Sequence, residues 1–113
     1  MNDSYSIGSN TKEHAEFIKE RYPNGIIQQE WFTYIVQCSD NSLYTGVTTD
    51  LERRVKEHNT SNKGAKYTKT RRPVKLVYNE THTDRSSSCK RESAIKKLSR
   101  IDKLKIINER RIQ

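Results

Sequence analysis

The stretch WFTYIVQCSDNSLYTGVTTDLERRVKEHN, residues 31–59, changes its hydrophobic period twice. Residues 31–38, WFTYIVQC, are rich in β-branched and aromatic side chains and read as a strand. The polar run Ser39-Asp40-Asn41-Ser42 is a turn, and LYTGVT, residues 43–48, is a second strand. The pair predicts a β-hairpin. Gly46 inside the second strand has no side chain, which marks a close approach of another backbone or of a ligand. Thr49 followed by Glu52 has the form of a capping box and predicts a helix start. Leu51 and Val55 then form a core stripe, and Arg54 and His58, four residues apart, share a neighbouring face.

Downstream, residues 59–70 read as a polar, basic loop containing Gly64, long enough to suggest a functional loop. Pro73 precedes VKLVY, a third strand with Val74, Leu76 and Tyr78 on one side and with proline where a strand tolerates it. A polar linker over 81–88 follows, with Ser86, Ser87 or Ser88 as cap of the next helix. Its apolar set is Cys89, Ala94, Ile95, Leu98 and Ile101, and residues 102–109 continue as helix with Leu104, Ile106 and Ile107. Upstream, Asn10 with Glu13 starts a short helix over 11–22 that Pro23-Asn24-Gly25 ends. Two parts result: a 1–30 N-terminal extension with a short helix and a 31–113 domain. The class is α+β, a small three-stranded antiparallel sheet flanked by helices in the order β-β-α-β-α-α, with an extra N-terminal helix.

Composition at first argues against folding. Leu, Ile, Val and Phe make up 22 of 113 residues, just below the ~20% at which high charge points to disorder. The charge, however, is unevenly distributed. Residues 1–32 hold three basic against five acidic side chains, and the rest holds 19 against nine, a domain at +10. Such a field favours a polyanion through counterion release and steering, and nucleic acid is the expected partner. An anionic membrane fits less well, since no helix pairs a basic face with a broad apolar one. With no apolar run of about 18 residues and no signal-like start, a soluble cytoplasmic protein is expected. Cys38 and Cys89 lack CxxC spacing and have no recognised zinc spacing to His14, His58 or His82.

Five residues stand out as a chemical set: Tyr34 and Tyr44 on the hairpin, Arg54 and His58 on the following helix, and Glu92 among Lys90, Arg91, Lys96 and Lys97. They converge if the sheet bears these helices on one side. The set resembles the GIY-YIG nuclease superfamily. Thr33-Tyr34-Ile35 stands at the first motif and Tyr44-Thr45-Gly46 at the second. TDLERRVKEHN supplies an Arg ten residues after Tyr44 and a His four later, and KRESAIKKLSR supplies the single acidic residue. The resemblance covers residues 31–104. It is greatest to the small stand-alone bacterial proteins of the YhbQ-like subfamily, above all in LYTGVTTDLERRVKEHN and GAKYTKTRRPVKLVY. Phe32 and Thr33 depart from the Gly and Ile of the first motif.

The resemblance implies a metal-dependent endonuclease that cuts a DNA strand with a single divalent ion, Mg²⁺ or Mn²⁺. Glu92 would hold the metal, a hard oxygen donor suited to an ion that keeps waters and substrate phosphate as its other ligands. Arg54 would offer its planar fork to the phosphate. Tyr44 would act as general base, Tyr34 would orient it or the attacking water, and His58 would relay a proton or contact phosphate. Asn108 is the one candidate for a downstream Asn that many members carry. Lys66, Tyr67, Lys69, Arg71 and Arg72, with Lys96, form the expected nucleic-acid-binding surface, basic with one stacking aromatic. DNA is preferred to RNA. The subfamily lacks an attached recognition domain, so structure-selective, weak cutting in repair or recombination is expected. The alternative is a nucleic-acid-binding module of the same fold with little or no cleavage. A further expectation gives the N-terminal extension a protein partner, or has its acidic balance shade the basic face in cis.

Overall fold

The computed structural model describes residues 29–112. Strands β1 (Trp31–Gln37), β2 (Leu43–Thr48) and β3 (Lys75–His82) form one antiparallel sheet in the order β2-β1-β3. Helices α1 (Leu51–Thr60) and α2 (Lys66–Lys69) lie between β2 and β3, and α3 (Arg85–Lys96) and α4 (Arg100–Ile112) follow β3. The order is β-β-α-α-β-α-α. The α+β class and the three-stranded sheet agree with the sequence reading, but the expected loop over 59–70 contains the extra short helix α2. The helix expected over 11–22 lies outside the described residues.

Central β1 decides the layering. Thr33, Tyr34, Ile35 and Val36 are all buried, so both faces of this strand need cover. Tyr34, Val36, Cys38 and Val74 pack with Tyr44, Leu51 and Val55 beneath α1. Ile35 packs on the other face with Tyr78, Ile95, Ile107, Leu104 and Ile106, beneath α3 and α4. The helices therefore sandwich the sheet. The condition for convergence of the five residues, helices on one side of the sheet, is thus not the arrangement adopted.

A β-bulge in β3 corrects a second expectation. Ile35 pairs with Tyr78 and Val36 with Leu76, which leaves Val77 as the extra residue. The bulge reverses the alternation, so Val74 and Tyr78 enter opposite cores while Leu76 is exposed. Ala94 and Ile101, expected in the apolar stripe, are exposed as well.

The helix starts also differ from the sequence reading. Asp50, not a Thr49–Glu52 box, caps α1 by accepting the Arg53 N–H at 3.0 Å. Asp84, not a serine, caps α3 by accepting from Ser87 at 2.7 Å. A carboxylate satisfies the open N–H and also meets the positive end of the helix dipole, which favours it over a hydroxyl at these positions. α4 is a separate helix, its first turn capped by Ser99 Oγ accepting from the Asp102 N–H at 3.1 Å. In the hairpin turn, Asn41 takes φ 70, the left-handed region that Asn tolerates. Among the described residues no helix is long and apolar enough to cross a membrane.

Candidate active site

Tyr34 and Gly46 lie directly opposite one another on β1 and β2. A Cβ at Gly46 would sit 2.5 Å from the Tyr34 hydroxyl oxygen and 2.7 Å from Cζ, so the ring occupies the space that any side chain there would fill. The glycine led one to expect close approach of another backbone or of a ligand, whereas the group that approaches is a side chain, the Tyr34 ring. Laid across the glycine, the Tyr34 hydroxyl reaches His58 Nε2 at 2.7 Å.

His58 sits in the last turn of α1 with no exposed surface. Its Nδ1 is 2.9 Å from Thr68 Oγ1, and the Thr68 hydroxyl donates to the Ala65 carbonyl at 2.9 Å. Burial, then the nearby Arg54 and Arg72 charges, push the His58 pKa down to about 4. The imidazole is therefore neutral at neutral pH and has one ring nitrogen able to accept a proton.

An aromatic ladder leads from this buried group outward. The Tyr44 ring meets His58 edge-on at 5.4 Å and stacks on Tyr67 at 6.0 Å. The Arg71 guanidinium lies 3.9 Å from the Tyr67 ring centroid, within cation–π range. Arg71 also donates to the Tyr67 carbonyl at 2.8 Å and to Asp40 Oδ2 at 3.1 Å, which ties the basic segment to the hairpin turn. Hydrogen bonds from Ser42, aided by Arg71, hold the Asp40 carboxyl below its usual pKa. Lys66 and Lys69 are exposed on α2 beside this ladder.

The two remaining arginines of the set are held internally. Arg54 donates through Nη1 to Glu57 Oε1 and to the Lys63 carbonyl, both at 2.9 Å, and is a fixed charge beside His58. Arg72 donates to the His58 carbonyl at 2.5 Å and the Ser61 carbonyl at 2.6 Å, the open acceptors at the end of α1. Its guanidinium thus clamps the helix that carries His58 instead of standing out on the loop surface. Gly64 permits the chain to close over this end, since a Cβ there would lie 2.8 Å from the Glu57 carbonyl oxygen. Asn59 bonds both the N–H and the C=O of Val74, fixing α1 against the start of β3.

Glu92 belongs to α3, the helix that packs its Ile95 against the Ile35 face of the sheet. Glu92 is half-buried and 3.4 Å from Lys96 Nζ. Helical periodicity puts Arg91 and Glu92 on the two flanks of the seam formed by Ser88 and Ile95. Arg91 reaches Glu80 on β3, so the Glu92 flank is the one toward β2, the strand of Tyr44. Among the described residues no three His, Cys, Asp or Glu side chains cluster. Such a donor set does not make an all-protein cage for zinc or calcium. It fits an ion that takes one carboxylate and completes its shell with water and phosphate, as Mg²⁺ does. Asn108 is exposed on α4.

The buried hydroxyl of Thr68 is the site residue that sequence reasoning missed. Its only signal is its place inside the basic run, one residue after Tyr67, where a polar side chain reads as surface.

Residues 30–105 match the GIY-YIG catalytic domain, and the fold is accordingly nuclease-like. A UPF0213 protein of Desulfotalea psychrophila is 65% identical over 69 residues, which are 61% of this chain and 63% of that one, so the chain spans less than two thirds of that relative. A UPF0213 protein of Staphylococcus haemolyticus is 58% identical over 79 residues, covering 70% of this chain and 95% of its own. An E. faecalis protein solved by solution NMR is 38% identical with a TM-score of 0.53, covering 76% of this chain and 91% of that one. The chain belongs to the GIY-YIG superfamily and, within it, to the UPF0213 family of small bacterial stand-alone GIY-YIG proteins. At the level of the superfamily the substrate is nucleic acid and a divalent metal is the usual cofactor.

Proposed function

We propose that the protein is a metal-dependent endonuclease that hydrolyses phosphodiester bonds in DNA, with structure-selective cutting suited to repair or recombination. The observation that carries the reading is the buried Tyr34–His58 hydrogen bond beside Tyr44, within the segment that matches the catalytic domain. Phosphodiester hydrolysis requires a proton to leave the attacking water. A neutral imidazole supplies the acceptor, the Tyr34 hydroxyl connects to it, and the Tyr44 hydroxyl is the group assigned to the water itself. Arg54, anchored by Glu57, contributes a fixed positive charge toward the phosphate. Glu92 would hold the divalent ion, which supplies charge neutralisation at the phosphate and leaving oxygen when bound. Lys66, Lys69, Arg71 and Tyr67 provide the track for the backbone, with Lys96 beside Glu92 extending it.

The test is nicking of plasmid, flapped and single-stranded DNA with Mg²⁺ or Mn²⁺. The expected result is metal-dependent cleavage that Glu92→Gln abolishes and Tyr44→Phe reduces on the order of 10²-fold or more. Cleavage equal in native and Glu92→Gln chains overturns the assignment. Salt-sensitive DNA binding that survives Glu92→Gln, with no cleavage on any substrate, supports the binding-module reading instead.

A further inference from the structure

We propose that Thr68 is a positioning residue for this site: its hydroxyl holds His58 in the tautomer protonated at Nδ1, so that Nε2 is the acceptor facing Tyr34. The inference takes its catalytic meaning from the proposed nuclease reading, but its first test needs neither DNA nor metal.

The argument rests on where one hydrogen must be. Thr68 Oγ1 stands 2.9 Å from His58 Nδ1 and 2.9 Å from the Ala65 carbonyl oxygen. A hydroxyl has one hydrogen, and a carbonyl has none to give. If that hydrogen pointed at Nδ1, two oxygens would face each other at 2.9 Å with no proton between them. Directed at Ala65, it satisfies the oxygen pair and leaves a hydroxyl lone pair for an Nδ1–H. The Ala65 carbonyl also accepts the backbone N–H groups of Thr68 at 3.0 Å and Lys69 at 3.2 Å, so it holds this residue firmly. Thr68 has no exposed surface, and no solvent competes for its hydroxyl. With Nδ1 protonated, the neutral ring presents a lone pair at Nε2 to the Tyr34 hydroxyl at 2.7 Å. The reverse tautomer would present an N–H there and take up no proton from Tyr34. The short helix α2 thereby acquires a purpose: its first turn carries the residue that orients the imidazole from the side opposite Tyr34.

Long-range ¹H–¹⁵N correlation on the uniformly labelled full chain at pH 7 reads the tautomer directly. The expected spectrum shows a protonated Nδ1 and an unprotonated Nε2 at His58, retained in Thr68→Ser and lost, in part or wholly, in Thr68→Val. A native chain protonated at Nε2 overturns the proposal, and this needs no variant to fold. So does a folded Thr68→Val chain with the native pattern. In the nicking assay, Thr68→Val is expected to lower kcat with KM retained, and Thr68→Ser to restore it. If the native chain shows the expected tautomer and no cleavage, the nuclease reading fails and the role of Thr68 in setting the tautomer stands.

Discussion

The two faces of the sheet are built from the same seven-residue strand and serve opposite ends. On one face, Tyr34 meets His58 and Thr68, buried polar groups linked by hydrogen bonds. On the other, Ile35 meets Ile95 and Ile107 in a hydrocarbon core, beside which the buried Thr33 hydroxyl donates to the Ser88 carbonyl at 2.8 Å. Buried hydrogen bonds are strong in a low dielectric and costly when one partner is missing. The hydrogen-bonded groups of the Tyr34 face therefore specify one arrangement of their side chains, whereas the Ile35 face is stabilised mainly by non-directional apolar burial. The apolar face does have a charged rim. Glu80 accepts from Tyr78, His82 and Arg91, and these contacts hold its carboxyl below its usual pKa despite the burial that opposes them. That cluster ties β3 to α3 and leaves the two layers on different titration windows.

The largest expected effect falls on the apolar face. Ile95→Ala empties a fully buried site and should cost about 2–5 kcal/mol in urea unfolding. The His58 imidazole spectrum should stay native in the folded fraction. A changed tautomer there would show that the two faces are not independent.

Acid comes next and separates the faces by pH. The unfolded chain protonates its imidazole as pH falls through 6.5, while folded His58 resists until about 4. Its contribution is therefore complete above 6.5 and is lost as pH falls from 6.5 toward 4, by about 3 kcal/mol at most. Glu80, with a lowered pKa, gives up its contribution only further into acid, as pH drops from its unfolded value near 4.5 through the folded one. Urea unfolding across pH 3–8 should show both stages, and His58→Gln should flatten the first alone. An unchanged slope between pH 6.5 and 4 in that variant would assign the window to another group.

Gly46→Ala is the smallest change and the most local. Its methyl group collides with a tyrosine that is buried and hydrogen-bonded, so the expected cost is about 1–3 kcal/mol. Nicking should fall further than stability, because the displaced ring loses His58. Equal losses in both would mean that the Tyr34–His58 contact serves packing alone.

Much of this was legible before any coordinates. The residue 31–59 stretch announces a hairpin and helix through its change of period, Gly46 announces a close approach, and the order Tyr34, Tyr44, Arg54, His58, Glu92 resembles one superfamily. Local physics carries these signals, since alternation, turn chemistry and motif spacing are properties of near neighbours. The errors fall where a distant partner decides. Arg72 reads as a surface cation, yet its guanidinium meets the carbonyls ending α1. Thr68 reads as a loop hydroxyl, yet it is buried against His58. Val74, Leu76 and Tyr78 read as one core stripe, yet the bulge at Val77 sends Tyr78 to the opposite face and Leu76 is exposed on the edge strand.

By itself, then, the sequence determined the strands, the first helix and the inventory of reactive groups, because each follows from residues a few positions apart. Tertiary structure alone decided which groups meet. It placed α1 and α3 on opposite faces and drew Thr68 under His58, because those contacts depend on how both faces of β1 are covered, and no local spacing records that.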